Sequence, residues 1–178
     1  MRPAAAVAAL ALAALPAAFG TERGTADVEV AFTPGDDVEG LIARRIASAR
    51  ESVRMQAYLF TDRRIAFALL AALRRGVRVE VIGDAGRHAQ GGLPWLGTLA
   101  RAGASVYLDA AAAASHNKVL ILDGDGARAA VVTGSYNFTR SAQSRNAENI
   151  VVISGNRAIT DRYVANFRAR RSRALAWR

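Results

Sequence analysis

The stretch His116-Asn117-Lys118-Val119-Leu120-Ile121-Leu122-Asp123-Gly124-Asp125-Gly126, followed by Ala129-Ala130-Val131-Val132-Thr133-Gly134-Ser135, decides the fold. Two apolar runs flank an Asp-Gly-Asp-Gly turn, so His116–Leu122 and Ala129–Ser135 read as a β-hairpin. The hairpin carries the only lysine of the chain, set against twenty-three arginines, and one of its two histidines. Arg is a planar fork of five donors, whereas Lys is a compact point charge with three rotatable ones. A chain that uses Arg wherever a cation will serve keeps this one ammonium for something the fork cannot do. A base and an ammonium two residues apart, entering an apolar strand, read as a phosphoryl-transfer site.

Outward from the hairpin, strands and helices alternate. Val28–Phe32 alternates like a strand, and Val38–Ala49 has apolar residues at helical spacing. Val53–Phe60 reads as a strand; Thr61 or Asp62 then caps a helix to Arg75, closed by Gly76. Val77–Ile82 is an alternating strand, and Gly83–Gly92 a polar loop that holds His88 as an exposed residue. A short helix over Pro94–Ala102, a strand at Ser105–Leu108 and a low-complexity linker at Ala110–Ala114 lead into the hairpin. Glu148–Ser154 reads as a further strand and Ile159–Leu175 as a basic helix. This order predicts an α/β fold, a mixed β-sheet flanked by helices on both faces, in one domain over residues 21–178.

Strand alternation places His116 and Lys118 on one face, with Asn117 and Asp123 on the other. Thr133, Ser135 and Asn137 share a face if the extended chain persists past Gly134. Pairing of the two strands is then expected to bring His116, Lys118, Ser135 and Asn137 to one patch. A nucleophile, a cation and neutral donors suit a phosphoryl group, whose oxygens need charge and donors in the transition state.

The pattern His116-x-Lys118-x4-Asp123-Gly124, with Gly134-Ser135-x-Asn137-Phe138-Thr139 and Asn146-Ala147-Glu148-Asn149, resembles the phospholipase D superfamily. It looks closest to the small, single-motif bacterial endonucleases of that superfamily, with a phospholipase D-like sandwich fold. The upstream segments Gln56–Thr61 and Ala71–Val79 resemble the family's first half, and the likeness spans roughly Val28 to Phe167. The resemblance implies that His116 is the nucleophile of a phosphohistidine route that needs no metal or other cofactor. It implies that Lys118 and Asn137 hold phosphoryl oxygens, and that Glu148 accepts a hydrogen bond from the far ring nitrogen of His116. Asp123 belongs to the same motif, although its place beside the turn favours a structural role. Ser135 is a secondary substrate donor.

Cysteine is absent, which excludes disulfides, thiolate nucleophiles and Cys-ligated zinc. Asp123-x-Asp125 resembles the start of a calcium loop, but Ala127 and Arg128 stand where a ligand and a glycine are required, so a turn is the better account. Arg2, the apolar run Ala4–Leu15 and Ala18-Phe19-Gly20 read as a secretory signal over residues 1–20, with a periplasmic or secreted mature chain. The net charge of +9 favours a polyanionic partner. Arg168, Arg170, Arg171 and Arg173 crowd the last helix, either as a solvated helix end or as a nucleic-acid surface. Together these readings predict a secreted, metal-independent nonspecific endonuclease. The alternatives are a phospholipase D, with Leu93-Pro94-Trp95-Leu96 as the nearest candidate for a membrane-facing loop, and a non-catalytic nucleic-acid-binding module. One His-x-Lys per chain and the need for a general acid predict a homodimer with a shared active site.

Overall fold

The computed structural model describes residues 20–177. The secretory signal read at 1–20 therefore lies outside the described residues, Gly20 excepted. Eight strands form one sheet in the order β1-β7-β6-β5-β2-β3-β4-β8. These are β1 Asp27–Thr33, β2 Ser52–Ala57, β3 Arg78–Asp84, β4 Ser105–Asp109, β5 Lys118–Leu122, β6 Ala130–Gly134, β7 Glu148–Ser154 and β8 Leu175–Ala176. β2, β3 and β4 run parallel, while the remaining pairings are antiparallel. The expected mixed sheet is present.

Helices α1 Val38–Ser48, α2 Arg63–Arg74, α3 Ala85–Ala89, α4 Leu96–Arg101, α5 Arg140–Ser144 and α6 Arg157–Arg171 complete the fold. Alternation along each strand divides its apolar residues between two cores. Met55, Val81, Leu120, Val132 and Ile150 pack with Ile42, Ile46, Leu69 and Leu99 of α1, α2 and α4. Val119, Ile121 and Val131 pack on the other face with Val164 and Phe167 of α6. Helices therefore cover both faces, as the pattern predicts. Asp37, Asp62 and Asn156 cap α1, α2 and α6 through their side chains, each satisfying an amide that has no partner within the helix.

The structure differs from the sequence reading in three short elements. The Gly83–Gly92 loop contains α3, capped by Asp84 through the Arg87 amide at 2.7 Å. Thr139 accepts from Ala142 N–H and starts α5, where no helix is expected from so short a polar run. The last helix ends at Arg171, and Leu175–Ala176 forms a strand on β4. Elements of two to five residues carry too little periodicity to register in sequence. Among the described residues no helix is long and apolar enough to cross a membrane.

Three of the four arginines at the end of α6 pair with carboxylates of β3, β4 and the hairpin turn. Arg168 pairs with Asp125 at 2.9 Å, Arg170 with Asp109 at 3.1 Å and Arg171 with Glu80 at 2.7 Å. The C-terminal arginines are thus neither a merely solvated end nor wholly available to a partner.

Candidate active site

The C-terminal ends of β2, β3, β4 and β6 and the N-terminal ends of β5 and β7 meet along one rim of the sheet. His116 lies on this rim, just ahead of β5. Its position is set from behind by two buried carboxylates. Asp84 accepts from Ser115 N–H at 2.7 Å, and Asp109 accepts from the Ser115 hydroxyl at 3.1 Å. Burial alone would raise the Asp109 pKa, but hydrogen bonds from Ala111 N–H, Arg170 and Ser115 outweigh it and hold the carboxyl below its ordinary value. The loop before the motif is therefore clamped by charge at the ends of two parallel strands.

His116 and Lys118 meet as the alternation predicts. Lys118 Nζ lies 3.0 Å from His116 Nδ1 and donates to the His116 carbonyl at 2.8 Å. The imidazole is exposed, whereas Lys118 is only 8% exposed. Desolvation pushes the Lys118 pKa below the usual lysine value, and the nearby Glu148 carboxylate partly offsets it. An ammonium has no acceptor to offer, so Nδ1 receives its hydrogen bond and a neutral His116 carries its proton on Nε2. The expected bond from His116 to Glu148 is not formed in this arrangement. Glu148 accepts instead from Asn146 Nδ2 at 2.9 Å. It nonetheless lies on the face of Lys118, because the register runs from Lys118 across Gly134 to Ile150, two residues from Glu148.

The same register corrects the placement of Ser135. Val119 pairs with Thr133, so Thr133 and Ser135 point to the face of Val119, away from Lys118. Continuing the pairing one step sets Gly134 across from Lys118. The reason is the parity of the hairpin loop: seven residues separate Leu122 from its partner Ala130, and a loop one residue shorter or longer would reverse the faces. The Ser135 hydroxyl is occupied by Asn149, accepting from its backbone N–H at 3.1 Å and its Nδ2 at 3.3 Å. Gly134 itself has φ +155, and a Cβ there would lie 2.2 Å from the Asn149 carbonyl oxygen. The close approach of β6 and β7 at this point requires glycine.

Asn137 follows on the rim beside the 58–62 segment, where Phe138 bridges Phe60 and its carbonyl accepts from Thr61 and Asp62 N–H. Its Oδ1 is buried without a hydrogen-bond partner, an open polar atom on a segment that has left the strand after Gly134. Asp123 is not brought to this patch. It stands five residues beyond Lys118, roughly 16 Å along the strand at about 3.3 Å per residue. Its carboxylate accepts from Arg50, Glu51 and Ser52 N–H at 2.7–3.1 Å, and burial is outweighed by these bonds so that its pKa is lowered. Asp125 pairs with Arg54 at 2.6 Å, as befits a turn rather than a cation loop.

Tyr58 is a neighbour the sequence reading missed. Its ring centroid lies 4.0 Å from that of His116, and Lys118 Nζ and the Arg87 guanidinium approach its ring at 4.9 and 4.6 Å. Tyr58 follows Ala57, the partner of Lys118 in the β2–β5 pairing. Only that long-range pairing reveals it. Among the described residues there is no group of three or more His, Cys, Asp or Glu side chains able to hold a metal ion.

Residues 42–171 match the family described as cardiolipin synthase, PLD-like domain. A phospholipase D of Rickettsia bellii is 39% identical over 146 residues, covering 82% of this chain and 70% of that protein. A mitochondrial cardiolipin hydrolase of Xenopus tropicalis is 35% identical over 119 residues, 67% of this chain and 54% of that protein. The crystal structure of Nuc from Salmonella typhimurium, a phospholipase D family member, superposes with a TM-score of 0.77 at 32% identity, covering 86% of this chain and 99% of that one. With the sheet order, the His116–Lys118 pair on its rim and these likenesses in hand, the chain belongs to the phospholipase D superfamily of phosphodiesterases, in its Nuc-like branch.

Proposed function

We propose that this phosphodiesterase is an exported nonspecific endonuclease that cleaves DNA or RNA through a phosphohistidine at His116. The observation that carries the chemistry is the contact of Lys118 Nζ with His116 Nδ1 at 3.0 Å on an exposed rim. Attack by Nε2 requires the proton on Nδ1. In the reacting arrangement Nδ1 leaves Lys118 and donates to a carboxylate, for which Glu148 stands on the same face. Lys118 is then released to the phosphoryl oxygens, joined by Asn137. Nε2 forms the bond to phosphorus, the leaving oxygen takes a proton from a general acid, and water later cleaves the phosphohistidine. The ammonium supplies the positive charge, so no metal is needed for the displacement.

The general acid in this reading is His116 of a second copy, brought opposite the first in a homodimer. Support comes from an uncovered apolar face on the sheet edge, where Val28, Val30 and Phe32 are more than half exposed. Burying such a stripe favours association. The likeness to Nuc supports the nuclease assignment, and so does the net charge of +9. In the segment read as a possible membrane-facing loop, Leu93 and Leu96 are buried and Trp95 donates to the Thr61 carbonyl at 3.1 Å, so these leucines are packed in the core rather than offered to a bilayer. Hydrolysis of phospholipid is the second reading, favoured by the likeness to the Rickettsia phospholipase D.

Purified protein incubated in excess EDTA with plasmid DNA and, separately, with phosphatidylcholine vesicles tests the assignment. Nicking of the plasmid is expected, with little phosphatidic acid released. Loss of activity on chelation with recovery in magnesium would remove the metal-free route, and hydrolysis of lipid alone would select the second reading.

A further inference from the structure

Two cavities of about 350 and 280 Å³ lie between α6 and the neighbouring segments at Asp109–Ala112 and Asn117–Val119, and share Asn166 in their walls. The first is lined by Arg170 and Arg173, the second by Asn117, Arg162 and Tyr163. They adjoin at Asn166 and line a groove on the α6 face of the sheet, opposite the face of Lys118, that reaches the rim at Asn117. Arg162, Asn166 and Arg170 recur at helical spacing, so polar groups repeat about every turn of α6, roughly 5.4 Å, and Arg173 follows just past the helix end.

The floor is organised by a chain of amides. Asn117 Nδ2 donates to Gln56 Oε1 at 2.7 Å, and Gln56 Nε2 donates to Asn166 Oδ1 at 3.2 Å. Gln56 is 3% exposed, so the relay is fixed by a buried side chain. It orients Asn166 with Nδ2 unpaired among the described residues, a donor at the groove. Arg170 is held by Asp109, which engages part of its five-donor fork, and Arg162 also bonds the Gly20 carbonyl. Arg173 has no ion-pair partner among the described residues. The half-buried Tyr163 supplies an aromatic surface beside these cations.

We propose that this groove is a backbone track for single-stranded nucleic acid, which crosses the rim from the His116 site at Asn117 and continues along α6. This rests on the nuclease reading and extends it. A row of cations follows successive phosphates, and a ring among them stacks a base without reading its identity. A phospholipid with a single phosphodiester, such as phosphatidylcholine, has no further phosphates to occupy the arginines beyond the reacting centre. The amide relay ties the groove to the strand that bears the nucleophile, so track and reacting centre are held in one frame.

The test uses cleavage-dead His116→Asn protein and fluorescein-labelled oligothymidylate, followed by anisotropy across a range of salt concentrations in EDTA. Tyr163→Leu is expected to weaken binding at least about fivefold, the lower end for loss of one stacked base. Tyr163→Phe, which keeps the ring, should bind normally. Arg173→Ala should reduce the slope of log affinity against log salt by about 0.7, the contribution of one phosphate contact on a single strand, and Arg173→Lys should restore it. In active protein, none of these substitutions should alter turnover of bis(p-nitrophenyl) phosphate, which is too small to reach the groove. If Arg173→Ala and Tyr163→Leu keep wild-type affinity and salt slope while plasmid is still cut, the groove proposal fails and the nuclease reading survives. A Phe variant as weak as the Leu variant overturns stacking at Tyr163. Absence of oligothymidylate binding in a protein that hydrolyses only phosphatidylcholine overturns both.

Discussion

The two ends of β5 carry the two polar ends of one motif, and they are built on opposite terms. At the far end Asp123 is saturated: three backbone amides donate to its carboxylate and Arg128 stands 3.7 Å away. At the near end His116 is exposed and Lys118 is buried with a lowered pKa, Glu148 stands close enough to offset that shift, and Asn137 Oδ1 further along the rim has no partner. A carboxylate whose acceptors are filled by the main chain has little left for a substrate. A cation kept partly desolvated beside an exposed base has its interactions in reserve for one. The difference separates a residue that holds the α1–β2 connection to the hairpin from residues proposed to do the chemistry, although the linear pattern groups them together.

Substituting the two ends should separate activity from stability. Lys118→Arg keeps the charge but forces a wider fork into a site where lysine is 8% exposed. Turnover of a phosphodiester should fall roughly 10²- to 10³-fold, as for loss of one oxyanion donor. Because Lys118 is buried, this variant should also lose some stability, measured by denaturant midpoint. Lys118→Met, an unbranched chain of similar length, should lose the activity without that loss. A near-wild-type rate in the Arg variant would erase the distinction between the two ends.

Asp123→Ala should do the reverse. Stranding the amides of Arg50, Glu51 and Ser52 is expected to cost about 3 kcal/mol of folding stability, with turnover per folded molecule unchanged. The folded pKa of Asp123 lies below its ordinary 3.8, so its contribution is present above that value and is lost as pH falls through the folded pKa. Wild type and Asp123→Asn should therefore converge in stability on acidification. A fall in kcat without destabilisation would return Asp123 to the chemistry.

The last comparison concerns pH dependence, read apart from the fall in kcat that loss of the Glu148 carboxylate should itself cause. The Glu148 carboxylate raises the Lys118 pKa against desolvation, so Glu148→Gln lowers it further. The ammonium is then lost at lower pH, and the alkaline limb of the kcat profile should move towards neutrality. An alkaline limb that stays in place would mean that another group sets it.

Much of this was legible from the sequence. The hairpin, the helices on both faces and the shared direction of His116 and Lys118 follow from alternation within single elements, because a pleated strand fixes its own faces whatever it pairs with. The family pattern added the candidate roles. Short segments such as α3, α5 and β8 escaped because a few residues define no period. What only the tertiary structure decided is how one strand's faces relate to another's. The parity of the loop between β5 and β6 turned Ser135 away from Lys118 and set Gly134 opposite it. The antiparallel pairing of β2 with β5 brought Tyr58 beside His116 from fifty-eight positions away. Such register depends on where distant strands settle against a common core, and no local periodicity records it.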